Sequence, residues 1–124
     1  MVPTLEPGDR ILAESIVTVP ATDLRQAIVV FENPEEKGKW LVKRVLGVPG
    51  DRISATPYAA QLLPKGDPSE GETIFTVPEN HLYVVSDAVS GGRDSRQFGP
   101  VDRETVHGRV WWRYAPANRR GPVE

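Results

Sequence analysis

Trp40-Leu41-Val42-Lys43-Arg44-Val45-Leu46-Gly47-Val48-Pro49-Gly50-Asp51 is the stretch on which the reading of this chain turns. An apolar run of strand length carries two adjacent basic residues and ends on a Pro-Gly-Asp turn signal. Side chains alternate along a strand, so Leu41, Lys43 and Val45 fall on one face and Val42 and Arg44 on the other. Lys43 therefore has apolar neighbours on its own face. If that face is covered, desolvation disfavours the ammonium and lowers its pKa toward neutrality. A neutral lysine amine can take a proton from a serine hydroxyl, the chemistry of a Ser-Lys nucleophile–base pair. The bland alternative is a strand lysine standing in solvent.

Outward from this strand the chain is punctuated in the same manner. Turn signals recur at Pro7-Gly8-Asp9, Asn33-Pro34, Lys65-Gly66-Asp67-Pro68 and Pro78-Glu79-Asn80. Between them the β-branched and aromatic runs predict strands near residues 11–19, 27–32, 40–46, 52–55, 73–77, 81–86 and 106–114. Short helical turns are possible at 21–25 and 102–105, where Thr22-Asp23 and Asp102 are cap residues. No long segment shows a 3.6-residue apolar period. The expected class is mainly β, a single domain, since 124 residues suit one core and are too few for two. Residues 56–72 carry the weakest pattern and are expected to form an excursion or flap, and residues 115–124 to form a frayed C-terminal tail.

Composition narrows the function classes. A net charge of −2 offers no electrostatic footprint for nucleic acid. With no cysteine there is neither a disulfide framework nor a thiolate nucleophile. His81 and His107 are far apart in sequence, so no metal-ligand cluster is visible and no cofactor is expected. No stretch approaches the roughly 20 apolar residues of a membrane helix.

Three segments, taken in order, resemble the signal peptidase I family of S26-type serine endopeptidases. Met1-Val2-Pro3-Thr4-Leu5 followed by Pro7-Gly8-Asp9 is similar to the family's Ser-Met-x-Pro-Thr-Leu-x-x-Gly-Asp. Lys43-Arg44-Val45-Leu46-Gly47-Val48-Pro49-Gly50-Asp51 is similar to its Lys-Arg-x-x-Gly-x-Pro-Gly-Asp. Ser86-Asp87-Ala88, then Arg93-Asp94-Ser95-Arg96-Gln97-Phe98-Gly99, is similar to Gly-Asp-Asn…Ser-x-Asp-Ser-Arg-x-x-Gly. Any one of these is a turn or a charge pair; together, in order, they form a specific signature. The resemblance implies coiled antiparallel sheets, the β architecture shared with LexA-like proteins.

It also implies roles. Lys43 matches the family's general base. The family's serine lies immediately before the methionine matched by Met1, so the chain is expected to start just after the nucleophile and to be inactive by itself. Arg44, Asp94, Ser95 and Arg96 are implied to brace the site through an ion-pair network, with Arg44 and Arg96 both candidate partners of Asp94. Met1, Pro3, Leu5, Leu41 and Val42 are the candidates for a groove that takes an extended peptide by strand addition and cleaves after small Ala-x-Ala side chains. Thr4 and Ser95, the other hydroxyls in the motifs, are expected to be structural. The third segment departs from the family: Gly92 stands where many relatives have a serine that orients the lysine amine, and Ser86 and Ala88 replace Gly and Asn. These departures do not exclude activity, since a water or a backbone group could hold the amine.

The implied partner is a leader or signal peptide, and a membrane surface is a second candidate, since Trp111-Trp112 on a strand cannot both face one core. With an upstream anchor the domain is expected on the extracytoplasmic face of a membrane. Residues 108–114 and the small size also resemble an S26 branch that matures nickel-type superoxide dismutase. Two further readings stay open: a pseudopeptidase that binds peptides without cutting, and a LexA-like self-cleaving domain, which fits the motifs less well.

Overall fold

The computed structural model describes Met1 and residues 3–88 and 92–123. Its strands are β1 (Arg10–Glu14), β2 (Ile28–Glu32), β3 (Trp40–Gly47), β4 (Arg52–Ala55), β5 (Ala60–Leu62), β6 (Ile74–Thr76), β7 (His81–Val85), β8 (Val101–Asp102), β9 (Val106–Ala115) and β10 (Gly121–Pro122). A single turn of α-helix, α1 (Ser95–Phe98), lies between β7 and β8, and 3-10 turns sit at Ala21–Leu24, Arg103–Thr105 and Ala117–Arg119. The larger sheet has the order β1-β9-β2-β3-β7-β8, with β10 added to β9, and the smaller has the order β5-β4-β6. Neighbouring strands run antiparallel throughout. The mainly β expectation holds.

β2 reads as a continuous apolar run because both of its faces are covered. Val29 and Phe31 enter the main core with Ile16, Leu24, Val45, Val48, Leu82, Val84 and Val101. Ile28 packs on the other side with Leu5 and Val110, and Met1, Ile11, Val30, Val42 and Val123 close around them. A third cluster of Ile53, Val77 and Tyr83 joins the two sheets. At the end of β3, Gly50 takes a φ of 90°, the left-handed conformation that a Pro-Gly turn requires. Asp51 fastens that turn by accepting from the Val48 N–H at 2.9 Å and from Arg25 at 2.6 Å.

Three expectations change, and a helical turn is added. The first strand stops at Glu14, because Ile16 drops into the main core and the chain turns there, with Val19 N–H donating to Ile16 O at 2.9 Å. The 56–72 excursion contains β5, held in register on β4 by Ile53 opposite Leu62. The tail is not frayed: β10 pairs with β9, and the Arg119 guanidinium donates to Asp9 at 3.0 Å. Glu124, the last residue of that segment, lies outside the described residues. Finally, 95–98 is helical, nucleated by a local cap that no long periodicity announces. Of the tryptophan pair, Trp111 is 47% exposed and Trp112 half-buried.

Candidate active site

Lys43 projects from the middle of β3 on the same face as Val45, and Val29 of β2 lies opposite it. Only 5% of the residue is exposed. Burial lowers its pKa from the ordinary lysine value, with the Asp94 carboxylate opposing that shift and the Arg96 guanidinium adding to it. Nζ donates to the hydroxyl of Ser86 at 2.9 Å. The Met1 amino group is also held below its usual pKa, first by burial and then by the positive charge of Lys43, while Asp87 opposes. Lys43 and the start of the chain are therefore within electrostatic reach of each other.

Behind Lys43 lies a buried ion pair. Asp94 is fully buried and accepts from Arg96 Nη2 at 2.7 Å and from Arg96 Nε at 2.9 Å. The pair stands at the start of a helical turn and not on a strand. Asp94 is the N-cap of α1, accepting from the Arg96 N–H at 2.9 Å, while its own N–H donates to Gln97 Oε1 at 2.9 Å. The other carboxylate oxygen accepts from the Ser86 N–H at 2.9 Å. Burial pushes the Asp94 carboxyl up, but the Arg96 hydrogen bond and the Ser86 and Arg96 amides outweigh it and hold it below the usual range. Ser95 Oγ accepts from the Val84 N–H at 2.9 Å, pinning α1 to β7.

Arg44 does not reach Asp94, because strand alternation turns it to the opposite face. It forms a fork with Asp87 at 2.8 and 3.0 Å and donates to Gln26 O at 2.8 Å. Thr4 Oγ1 donates to the same Asp87 carboxylate, and Thr4 O accepts from Arg113 at 2.8 Å. The Thr4 and Ser95 hydroxyls are thus committed to structural bonds. Through Asp87, residues of all three motif segments meet: Thr4 of the first, Arg44 of the second, and Asp87 of the third.

Of the groove candidates, Met1, Leu5 and Val42 line one cleft of about 340 Å³ together with Glu6, Pro7, Asp9 and Ile11. Leu41 packs against the main core, on the face of Lys43, and exposed Pro3 does not line the cleft.

With that geometry in place, residues 1–73 and 60–115 match the family described as signal peptidase, peptidase S26. The chain belongs to that family. It is 42% identical over 99% of its length to the mitochondrial ATP-independent inner membrane protease subunit 1b of Arabidopsis thaliana, covering 69% of that protein. It is 31% identical over 99% of its length to signal peptidase I of Leptolyngbya laminosa, covering 68% of it. The crystal structure of a signal peptidase I from Enterococcus faecalis V583 shares the fold, with a TM-score of 0.51 and 24% identity across 68% of this chain and 93% of that one.

Against the signal peptidase pattern, the third segment is where sequence reasoning fell short. A Cβ built on Gly92 comes 3.8 Å from Lys43 Nζ, so that position does face the amine. Ser86, noticed only as a departure, supplies a side-chain hydroxyl to the same amine. Its signal was available, because a hydroxyl is unusual where relatives carry glycine, but only the folded geometry places it.

Proposed function

We propose that this chain is the peptidase domain of a signal peptidase I-type serine endopeptidase in which Lys43 is the general base. The observation that carries the reading is Lys43 itself: a nearly buried lysine with a lowered pKa, beside the start of the chain where the family's serine is attached. The serine hydroxyl immediately before Met1 would attack the scissile carbonyl while Lys43 Nζ takes its proton. As the C–N bond breaks, Lys43 returns that proton to the leaving amine. A water then attacks the acyl-enzyme by the same route and frees the serine. Donors for the oxyanion are proposed to come from the segment that carries the serine.

The ladder of β3 supports a place for substrate docking. Val45 exchanges hydrogen bonds with the β2 side, its N–H donating to Ala27 O at 2.8 Å and its carbonyl accepting from Gln26 N–H at 2.9 Å. Backbone groups alternate sides along a strand, so those of Val42 point away from β2. On that side β7 pairs with β3 only from Arg44 to Gly47. An extended leader peptide can add there as a strand and lower small side chains into the Met1–Leu5–Val42 cleft. The exposed Trp111 ring suits a membrane interface, and we assign the domain to the extracytoplasmic face of a membrane.

The test is product formation from an Ala-x-Ala peptide as a function of pH. Three proteins are compared: residues 1–124, the same chain extended at its N-terminus through the serine, and the extended Lys43→Ala variant. The extended chain is expected to cut, with a rate rising with pH to a midpoint below the ordinary lysine value of 10.5; the other two are not. Robust cleavage by residues 1–124 refutes the missing nucleophile. Tight peptide binding with no cleavage by the extended chain establishes the pseudopeptidase instead.

A further inference from the structure

We propose that Ser86 is a positioning residue of the general base, its hydroxyl holding the Lys43 amine in a fixed orientation from the end of β7 rather than from position 92. The inference rests on Lys43 being the base. Ser86 follows directly on β7, is 9% exposed, and sets Oγ 2.9 Å from Nζ. Its backbone is fixed independently of that contact, because its N–H donates to Asp94 Oδ2 at 2.9 Å and Asp94 is clamped by Arg96. A chain of bonds thus runs from Arg96 through Asp94 and Ser86 to Lys43. The buried ion pair acquires a purpose: it holds the hydroxyl that holds the amine.

Gly92 explains why the hydroxyl comes from position 86. The residue has a φ of 90°, where an L side chain is strained. A Cβ there would stand 3.8 Å from Nζ. This backbone therefore leaves position 92 to glycine and brings an oxygen to the amine from the end of β7. The chemistry needs such a contact. An amine on a four-carbon stem has freely rotating donors and one lone pair, and a lone pair that wanders is seldom in line with the serine proton. Donating one N–H to a fixed Oγ restricts that rotation.

The first measurement is on residues 1–124 as they are: an NMR titration of the Lys43 side chain in wild type, Ser86→Ala and Ser86→Thr. The charged groups facing Nζ are Asp94, Arg96 and the Met1 amine, and none is altered by these substitutions. Ser86→Ala removes an oxygen acceptor from the ammonium, so the Lys43 pKa is expected to fall by about half a unit or more, with Ser86→Thr close to wild type. The second measurement is peptide cleavage by the chain extended through the serine. Ser86→Ala is expected to lower the plateau kcat about ten-fold with KM unchanged, while the acid limb of the pH–rate profile moves to lower pH. Ser86→Thr restores most of the rate. An unchanged Lys43 titration and an unchanged kcat in Ser86→Ala overturn the proposal. So does a loss of kcat that merely follows a fall in melting temperature. If the extended Lys43→Ala variant still cleaves, the base assignment fails instead, and the NMR titration continues to report on the Ser86–Lys43 contact alone.

Discussion

Asp94→Ala should unfold the site before it does anything else. The carboxylate is fully buried and carries several duties: cap of α1, acceptor for the Ser86 N–H, and partner of an Arg96 side chain only 8% exposed. Losing an N-cap costs about 1 kcal/mol. Stranding the Ser86 N–H costs about 1–3 kcal/mol. Leaving a buried guanidinium without its counter-charge costs about 3–5 kcal/mol. These overlap and do not add, so the expected loss is set by the largest of them, about 3–5 kcal/mol. That is a large part of the roughly 5–15 kcal/mol that holds a domain together. At about 3–4 °C per kcal/mol the melting temperature should drop by roughly 10–20 °C. Thermal and urea unfolding of wild type, Asp94→Ala, Asp94→Asn and Asp94→Ala/Arg96→Met read it directly. Asn offers a single carbonyl oxygen, which can keep the α1 cap or the Ser86 bond but not both, so Asp94→Asn should lose less than Asp94→Ala, and the double variant should recover part of the loss. Acid adds a sign check. The folded Asp94 pKa lies below the ordinary value of 3.8, so its contribution is present above that pH and is lost as pH falls through the folded pKa. A loss below about 1 kcal/mol in Asp94→Ala, with no coupling to Arg96, would refute the bracing role.

Lys43→Met should stabilise the fold at neutral pH by about 1–2 kcal/mol while abolishing cleavage by the extended chain, because a desolvated lysine is kept for function at a cost to stability. Its depressed pKa means that wild-type stability rises between the folded Lys43 pKa and 10.5, and that rise should vanish in the variant; an unchanged pH profile contradicts the burial argument. Val42→Pro removes the N–H aimed at the open edge of β3 and spares the bonds to β2, so peptide binding should weaken at least ten-fold with the domain still folded. Intact binding would move the docking edge elsewhere. Asp9 has its pKa pulled to about 2, first by the Arg119 hydrogen bond and then by the Glu6 N–H. In Arg119→Ala an NMR titration should find it risen toward 3.8, flattening the loss of stability as pH falls through this range; an unmoved Asp9 would show that the C-terminal segment does not hold β1.

Much of the fold was legible because strand and turn signals are local. The period-2 pattern around Lys43 named its face and its apolar neighbours, and the Pro49-Gly50-Asp51 turn behaved as its residues demand. Misreadings came where a tertiary partner overrides local pattern. Residues 115–123 are rich in Pro, Arg and Gly and look like a tail, yet Asp9, more than 100 positions earlier, captures Arg119. Leu41 looks like a groove residue beside Val42, but successive side chains on a strand face opposite ways, and only the packed sheets show which face is the core.

The amino-acid sequence by itself determined the β class, the position of the central lysine strand and membership of the motif set, since each depends on residue types at short spacing. Only the tertiary structure decided what surrounds the lysine. Whether Arg44 or Arg96 meets Asp94, whether Thr4 serves a turn or reaches Asp87, and whether a hydroxyl holds the amine turn on residues distant in sequence: Thr4 and Asp87 are 83 positions apart, and Lys43 and Ser86 are 43. Spacing along the chain carries no information about such pairs. They are settled when β3 and β7 pair in register and α1 caps against them, setting Ser86 Oγ 2.9 Å from Lys43 Nζ.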